Sequence, residues 1–325
     1  MDLKLFTNLL EKSQTLVLAT HENPDIDGIA SMLSFLLLHP DKTCLPILEK
    51  LPHNASFLHG IEYVKLLHEI DDLAEVYRNT PLLVVFDAQC EKRIPREIKN
   101  LLNPKEVLIF DHHVKEDCQY FLGITPHALI DPEEPSTTAL LYKFFKKANY
   151  QITKEVAENL LAGLYYDTGA FKYDNVKSDA FLIAYDLVNL GARPTYITKN
   201  LYENIPFEQI EATKLILSRL EFLKEGAIAI SYLTASEVER LGERGQNDFA
   251  SFLRSIEGVV LSAIVKEVKK GEIKVSLRSM APLSALPIAK KYGGGGHKYA
   301  CGFTIKNKEL FPFLNDFKKV LKSSL

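Results

Sequence analysis

Short apolar runs alternate with longer stretches of helical periodicity over the first half of the chain. Thr15–Thr20 (TLVLAT), 82–87 (LLVVFD) and 107–111 (VLIFD) have the length and continuous apolarity of buried strands. Residues 28–38 and 94–102 carry the spacing of helices. Strands separated by helices in this way predict βαβ units and a parallel sheet. Residues 137–148 and 153–166 read as further helices, with Thr153 placed to cap the second ahead of Glu155. A helix over 178–190 closes at Gly191.

The texture then changes. Residues 191–223 contain Pro194 and Pro206, followed by a helical pattern over 207–222, and read as a helical connector. Beyond it, 227–233, 259–268, 272–277 and 299–305 predict strands, Gly271 a turn, and 310–321 a closing amphipathic helix. The expected architecture is α/β. An N-terminal parallel-sheet domain (1–190) is followed by the connector (191–223) and a smaller mixed α/β domain (224–325).

Composition narrows the class. The chain has 325 residues, 46% hydrophobic and 25% charged, with 16 Gly and 15 Pro, which excludes collagen-like, disordered and disulfide-scaffold proteins. No apolar run approaches the roughly 18 residues of a membrane span, and the first residues lack the apolar core of a signal peptide. Cys44, Cys90, Cys118 and Cys301 are far apart in sequence and form no C-x-x-C pair, so a reduced, cytoplasmic setting is expected. The net charge of −3 hides an asymmetry: 1–190 sum to −10 and 191–325 to +7. Residues 273–308 hold seven bases and no carboxylate. An acidic half suits cations and a basic segment suits phosphate.

Chemistry gathers at the predicted strand ends. The first strand runs into His21-Glu-Asn-Pro-Asp25-Ile-Asp27, the second ends in Asp87, and the third in Asp111-His112-His113. Ligands of open parallel sheets bind outside the carboxyl ends of the strands, so these side chains can share one crevice. Asp167, in YYDTGAF, ends a helix and adds a carboxylate. So many carboxylates cannot all ionise in a dry cleft without cations. Mixed carboxylate and imidazole donors suit manganese, magnesium or iron. Two adjacent metals need a shared ligand, and Asp87, alone on its strand, is the natural bridge. Taken singly, each of these residues would more often be a cap or a packing residue. The histidines outside the constellation, His39, His53, His59, His68 and His127, are read that way.

The run Gly293 to Gly296, followed by His297 and Lys298, lies within the carboxylate-free segment, with Arg278 ending a predicted strand before it. Glycines let a backbone approach an anion closely, and successive amides can cradle phosphate. The spacing is not that of a P-loop.

Together, H-x-x-x-D-x-D, the lone strand-end Asp, Asp-His-His, the later Asp-Thr-Gly and the distal GGGGH resemble the DHH phosphoesterases, and the last motif the associated DHHA1 domain. Order and spacing resemble the subfamily of nano-RNases and pAp phosphatases over essentially the whole chain. The resemblance implies two divalent metals, manganese foremost and magnesium or cobalt as substitutes. One would be held by His21, Asp25 and Asp87, the other by Asp27, Asp87, His112 and Asp167. It implies that His113 faces the scissile phosphate, so that Asp87, His112 and His113 carry the catalysis. Asp111 would orient a ligand from behind. Arg278, Gly294, Gly295, Gly296 and His297 would bind substrate. The implied activity is metal-dependent hydrolysis of oligoribonucleotides of a few residues, linear dinucleotides or 3′,5′-bisphosphoadenosine (pAp). The implied partners are short RNA or small nucleotides, with no long duplex and no membrane; a homodimer is compatible with the pattern. Val114-Lys115-Glu116-Asp117 after the Asp-His-His, Ala30-Ser31 in the first helix, and the prolines of 281–287 depart from many relatives and bear on substrate preference. Three alternatives stand beside this reading: a RecJ-like single-strand exonuclease, an inorganic pyrophosphatase, and a non-catalytic nucleotide sensor. The first would need an added stacking platform, for which a chain without Trp leaves little room.

Overall fold

A computed structural model describes residues 3–70, 74–245 and 248–325. It divides into two units, the first ending at Asn204 and the second starting at Ile205.

The first unit is built on six strands: β1 (Thr15–Thr20), β2 (Thr43–Leu48), β3 (Lys65–Leu66), β4 (Leu82–Phe86), β5 (Glu106–Asp111) and β6 (His127–Ile130). They pair in the order β3-β2-β1-β4-β5-β6, all parallel. Strands covered on both faces must be apolar on both, which is why every residue of β4 is buried. One face, with Leu16, Leu18, Val84, Phe86, Leu108 and Phe110, packs against α1 (Leu3–Lys12), α2 (Ile26–Leu37), α5 (Thr137–Lys147) and α6 (Lys154–Asp167). The other, with Val17, Leu83, Val85 and Ile109, is covered by Tyr77 of α3 (Ala74–Asn79) and Ile98 of α4 (Arg96–Leu101). The order of strands reverses between β1 and β4. The crevice beyond their carboxyl ends is therefore the switch point at which such sheets bind ligands. Two helices, α7 (Ser178–Asn189) and α8 (Pro194–Tyr202), complete this unit, with Leu187 and Ile197 in its core.

The second unit begins with α9 (Phe207–Ser218). The helix expected over 207–222 stops at Ser218, because Glu221–Leu223 forms an edge strand, β7. β7 pairs antiparallel with β8 (Ile228–Leu233). After α10 (Ala235–Leu241) and α11 (Phe249–Arg254) come β9 (Leu261–Lys269), β10 (Glu272–Ser279), α12 (Leu286–Lys291), β11 (Gly295–Gly296), β12 (Ala300–Lys306) and α13 (Leu310–Ser323). The sheet order is β11-β12-β10-β9-β8-β7, with only β8–β9 parallel. Strict alternation on β10 buries Ile273, Val275 and Leu277 against α12 and α13 and turns Lys274, Ser276 and Arg278 to the opposite face.

The residues of the expected connector are shared out: α8 packs in the first unit, and Ala212 and Ile216 of α9 pack in the second. The cysteines do not all stay apart. Cys90 and Cys118, 28 residues from each other in sequence, are joined as a disulfide with their Cα atoms 5.7 Å apart. Sequence distance says nothing about a loop that returns, so the reading of four separate thiols is corrected. Among the described residues no helix is long and apolar enough to cross a membrane.

Candidate active site

His21 leaves the end of β1, and Asp25 and Asp27 open α2. Asp25 is the N-cap of that helix, its Oδ1 accepting the Gly28 amide at 3.0 Å. Asp87 follows β4 with φ +60°, a left-handed conformation that costs a non-glycine residue energy. Asp111 ends β5, His112 and His113 follow it, and Asp167 ends α6. The switch point thus receives a side chain from each of these elements.

Three groups of donors result, each with its ligand atoms within 4.8 Å of one another: His21, Asp25 and Asp87; Asp27, His112 and Asp167; Asp87, His112 and His113. Asp87 stands in two of them. Its Oδ2 is 3.3 Å from His21 Nε2, and its Oδ1 is 3.7 Å from His112 Nε2 and 3.4 Å from His113 Nδ1. His112 Nε2 lies 2.9 Å from Asp167 Oδ2.

The imidazoles are aimed by what lies behind them. His21 Nδ1 contacts the Glu22 carbonyl at 2.8 Å and His112 Nδ1 the Glu134 carbonyl at 3.2 Å. With a proton on each Nδ1, each Nε2 could give up its own proton to a cation and offer a lone pair. His21 Nε2 is buried with no hydrogen-bond partner. An orphaned basic nitrogen among carboxylates fits a divalent cation. Asp111 is fully buried; its Oδ1 accepts from the backbone amide of His113 at 3.0 Å and meets His113 Nδ1 at 2.7 Å. It orients His113.

Electrostatics records the same crowding. Burial alone would lower the histidine pKa values, but carboxylate partners override it, pushing His21 and His112 up to about 10 and His113 to about 9. Burial, with neighbouring carboxylates, holds Asp27 well above the ordinary carboxylate range. Asp167 is raised to about 6, by burial first. At Asp87 burial acts upward but is overcome by His113 and His21, and its pKa falls.

One part of the site escaped the sequence reading. Ser136 caps α5, and the two residues after it turn to the carboxylates. Asp27 Oδ2 accepts the Thr137 amide at 2.7 Å, and its Oδ1 accepts the Thr138 amide at 3.1 Å and the Thr138 hydroxyl at 2.7 Å. The Thr137 hydroxyl donates to Asp87 Oδ1 at 2.8 Å. The positive end of α5 therefore supports Asp27. Gly163 of α6 is required there: a Cβ would sit 2.4 Å from Thr138 and 2.5 Å from Asp27. Gln89 was missed as well. Its amide group bridges the Val114 carbonyl, at 3.1 Å, and the Glu116 amide, at 2.7 Å, tying the turn after Asp87 to the segment after His113.

The second unit holds a separate feature, a cavity of about 420 Å³ on the face of β10 and β12, lined by Lys274, Ser276, Arg278, Gly295, Gly296 and Thr304 among others. Arg278 is held firmly: Nε and NH2 donate to Asp248 Oδ2 at 3.1 and 2.8 Å, Nε to Ser251 Oγ at 3.1 Å, and NH1 to the Leu277 carbonyl at 3.0 Å. The glycines divide by role. Gly294 and Gly296 are glycine because β12 presses on them; an added Cβ would lie 2.2 Å from the Gly302 carbonyl and 2.7 Å from the Ala300 carbonyl, respectively. At Gly295 it would meet nothing within 4 Å. Gly294 and His297 are not among the lining residues, and His297 is exposed.

Comparison with known proteins agrees with this division. The model for the DHH family, N-terminal domain, matches residues 15–164, and that for the DHHA1 domain matches residues 233–323. The bifunctional oligoribonuclease and PAP phosphatase NrnA of Thermus thermophilus is 26% identical over 301 residues, covering 90% of this chain and 85% of its own. The protein of the same name from Bacillus subtilis is 23% identical, over 90% and 89%. The crystal structure of an exopolyphosphatase-related protein from Bacteroides fragilis shares the fold, with a TM-score of 0.86 at 23% identity over 99% of this chain and 95% of that one.

Proposed function

The chain belongs to the DHH phosphoesterase family, with DHHA1 as its second module, and from that premise we propose that it hydrolyses oligoribonucleotides of about two to five residues, linear dinucleotides and pAp. Support comes from relatives named as bifunctional oligoribonucleases and PAP phosphatases along nine-tenths of the chain. The observation that carries the reading is Asp87, which faces His21 on one side and His112 and His113 on the other.

His21, Asp25 and Asp87 would hold one divalent cation, and Asp27, Asp87, His112 and Asp167 a second, with manganese the favoured ion and magnesium or cobalt able to replace it. Bound there, the cations would neutralise phosphoryl charge and make a water acidic enough to attack phosphorus. The chain's residues do the rest. His113, fixed through Nδ1 by Asp111, presents Nε2 as a donor to a phosphoryl oxygen or to the leaving oxygen. The hydroxyl of Thr137 fixes the rotamer of Asp87. In the second unit, Arg278 and the amides around Gly295 and Gly296 bind a substrate phosphate.

Product analysis tests this. The protein is incubated with manganese and RNAs of 2 to 20 nucleotides, pAp, pGpG and pyrophosphate. Short RNAs and pAp are expected to be consumed and chelator to stop the reaction. A rate that climbs steadily to 20 nucleotides would replace the reading with a RecJ-like single-strand exonuclease. Turnover of pyrophosphate alone would make the protein a pyrophosphatase.

A further inference from the structure

The cavity of the second unit extends past the residues so far given a role. At one end stands Arg278, held by Asp248 at the start of α11 and by Ser251 within it. From there it follows β10 to Lys274, four residues on and on the same face. At about 3.3 Å per strand residue, Lys274 lies roughly 13 Å from Arg278, too far for one phosphate to bridge them. Ser276 lies between, and across the ladder Lys274 faces Thr304 and Ser276 faces Gly302. Among the described residues that line it there is no carboxylate. Gly302 has no side chain to fill the middle, so the floor between the cations is backbone and hydroxyl.

Lys274 is exposed, and directly opposite it on β9 stands Lys266. Lys266 lies over the Phe249 ring at 5.3 Å. Burial, and then the charge of Lys274, lower its pKa to about 8. Like charges directly opposite each other across a strand ladder are unfavourable, and a phosphate at Lys274 would relieve them.

We propose that Lys274, with Ser276 and Thr304, is a second phosphate seat that takes a further backbone phosphate of an oligoribonucleotide whose nearer phosphate lies at Arg278. The inference rests on the proposed function for its substrate class. It deepens that reading by giving the chain a ruler: a dinucleotide held at Arg278 does not reach Lys274, whereas a tri- or tetranucleotide does. Binding energy from the seat therefore rises with length and stops rising where the row of cations ends, since Glu272 follows on the same face.

The test is binding by the full-length protein with metal chelated, so that nothing turns over. Di- and tetra-adenylate are titrated calorimetrically into the wild type, Lys274→Ala and Lys274→Arg. Lys274→Ala is expected to weaken the tetranucleotide at least fivefold more than the dinucleotide, and Lys274→Arg to restore most of the loss. The slope of log affinity against log salt should fall by about 0.7 for the tetranucleotide, the value for one lost phosphate contact on a single strand. Equal weakening at both lengths, no weakening, or wild-type protein that binds the two lengths alike would each overturn the seat. Turnover of the same RNAs by the wild type with manganese is measured in parallel. Absence of turnover would bring down the proposed function while leaving the binding comparison to judge the seat.

Discussion

The two units handle charge in opposite ways. The first draws carboxylates and imidazoles inward to the switch point of a parallel sheet, where His21, Asp27, Asp87 and Asp111 are all less than a tenth exposed. The second spreads cations along the open face of a largely antiparallel sheet, where Arg278 is tied to Asp248 and Lys274 stays in solvent. Topology explains the difference. Parallel strands end together in one crevice, so residues distant in sequence are forced to converge. A half-covered antiparallel face displays every second residue in a row. Convergence makes a site for compact, strongly charged ions, and a row makes a site for a chain of phosphates.

The sharpest way to break the comparison is to disable the convergent site at its shared residue. Asp87→Asn keeps the shape but removes the charge facing His21 and His112. We expect kcat to fall by about 10²- to 10³-fold, a loss on the order of 3–4 kcal/mol of transition-state stabilisation. A near-normal kcat would show that Asp87 is not shared. The next largest effect is expected from its support. Thr137→Ala removes the hydroxyl donated to Asp87, and loss of such an outer partner weakens metal binding about 10- to 100-fold. Manganese titration calorimetry reads this without turnover, and Thr137→Ser should recover it. Unchanged affinity in Thr137→Ala would reduce that hydroxyl to a helix-start residue.

Much of the convergent site was legible because its ligands directly follow apolar runs. His21 after TLVLAT, Asp87 after LLVVF and Asp111-His112-His113 after β5 are visible once the runs are taken as parallel strands. The division of ligands between two ions was not. It came from family resemblance, and Asp27 and Asp167 lie on helices whose approach no local pattern encodes. Thr137 and Thr138 were hidden because hydroxyls at a helix start look like ordinary caps. β2 was passed over because it carries Pro46, and β3 because it has two residues. The glycine run was visible as a run, but only contacts with β12 show that Gly294 and Gly296 serve close packing while Gly295 is open. Asp248, 30 residues before Arg278, and the Cys90–Cys118 pair depend on chain return, which periodicity does not carry.

In the second unit the corresponding challenge is Arg278→Lys. The guanidinium satisfies Asp248, Ser251 and the Leu277 carbonyl at once, and a point-charge ammonium cannot reproduce that fork. The expected result is a rise in KM for dinucleotides and pAp of about fivefold to tenfold, with kcat little changed, because uniform binding is lost and no group at the convergent site is touched. A fall in kcat with unchanged KM would contradict a binding role. Unchanged KM and kcat would make Arg278 a tie between β10 and α11 and nothing more.

The last effect is read in melting temperature, and it separates the two units most cleanly because it has opposite signs in them. In chelated protein, His21 and His112 keep their protons to about pH 10 and His113 to about pH 9, whereas unfolded histidines lose them near 6.5. Between these values the folded first unit binds more protons than its unfolded chain, so its stability is full below about pH 6.5 and declines as pH rises. Lys266 runs the other way. Burial and Lys274 bring its folded pKa down to about 8, against about 10.4 in the unfolded chain. From about pH 8 to 10 the unfolded second unit binds the extra proton, and stability rises with pH. Scanning calorimetry at pH 8 and pH 9.5 should therefore show one transition moving down and the other up. Lys266→Met should flatten the rising one, since a neutral side chain of similar length has no proton to lose. Manganese should flatten the falling one, since cations held by the imidazoles displace those protons at both pH values. Two transitions that shift together in chelated protein would show that the convergent histidines and Lys266 do not set the alkaline behaviour of their units.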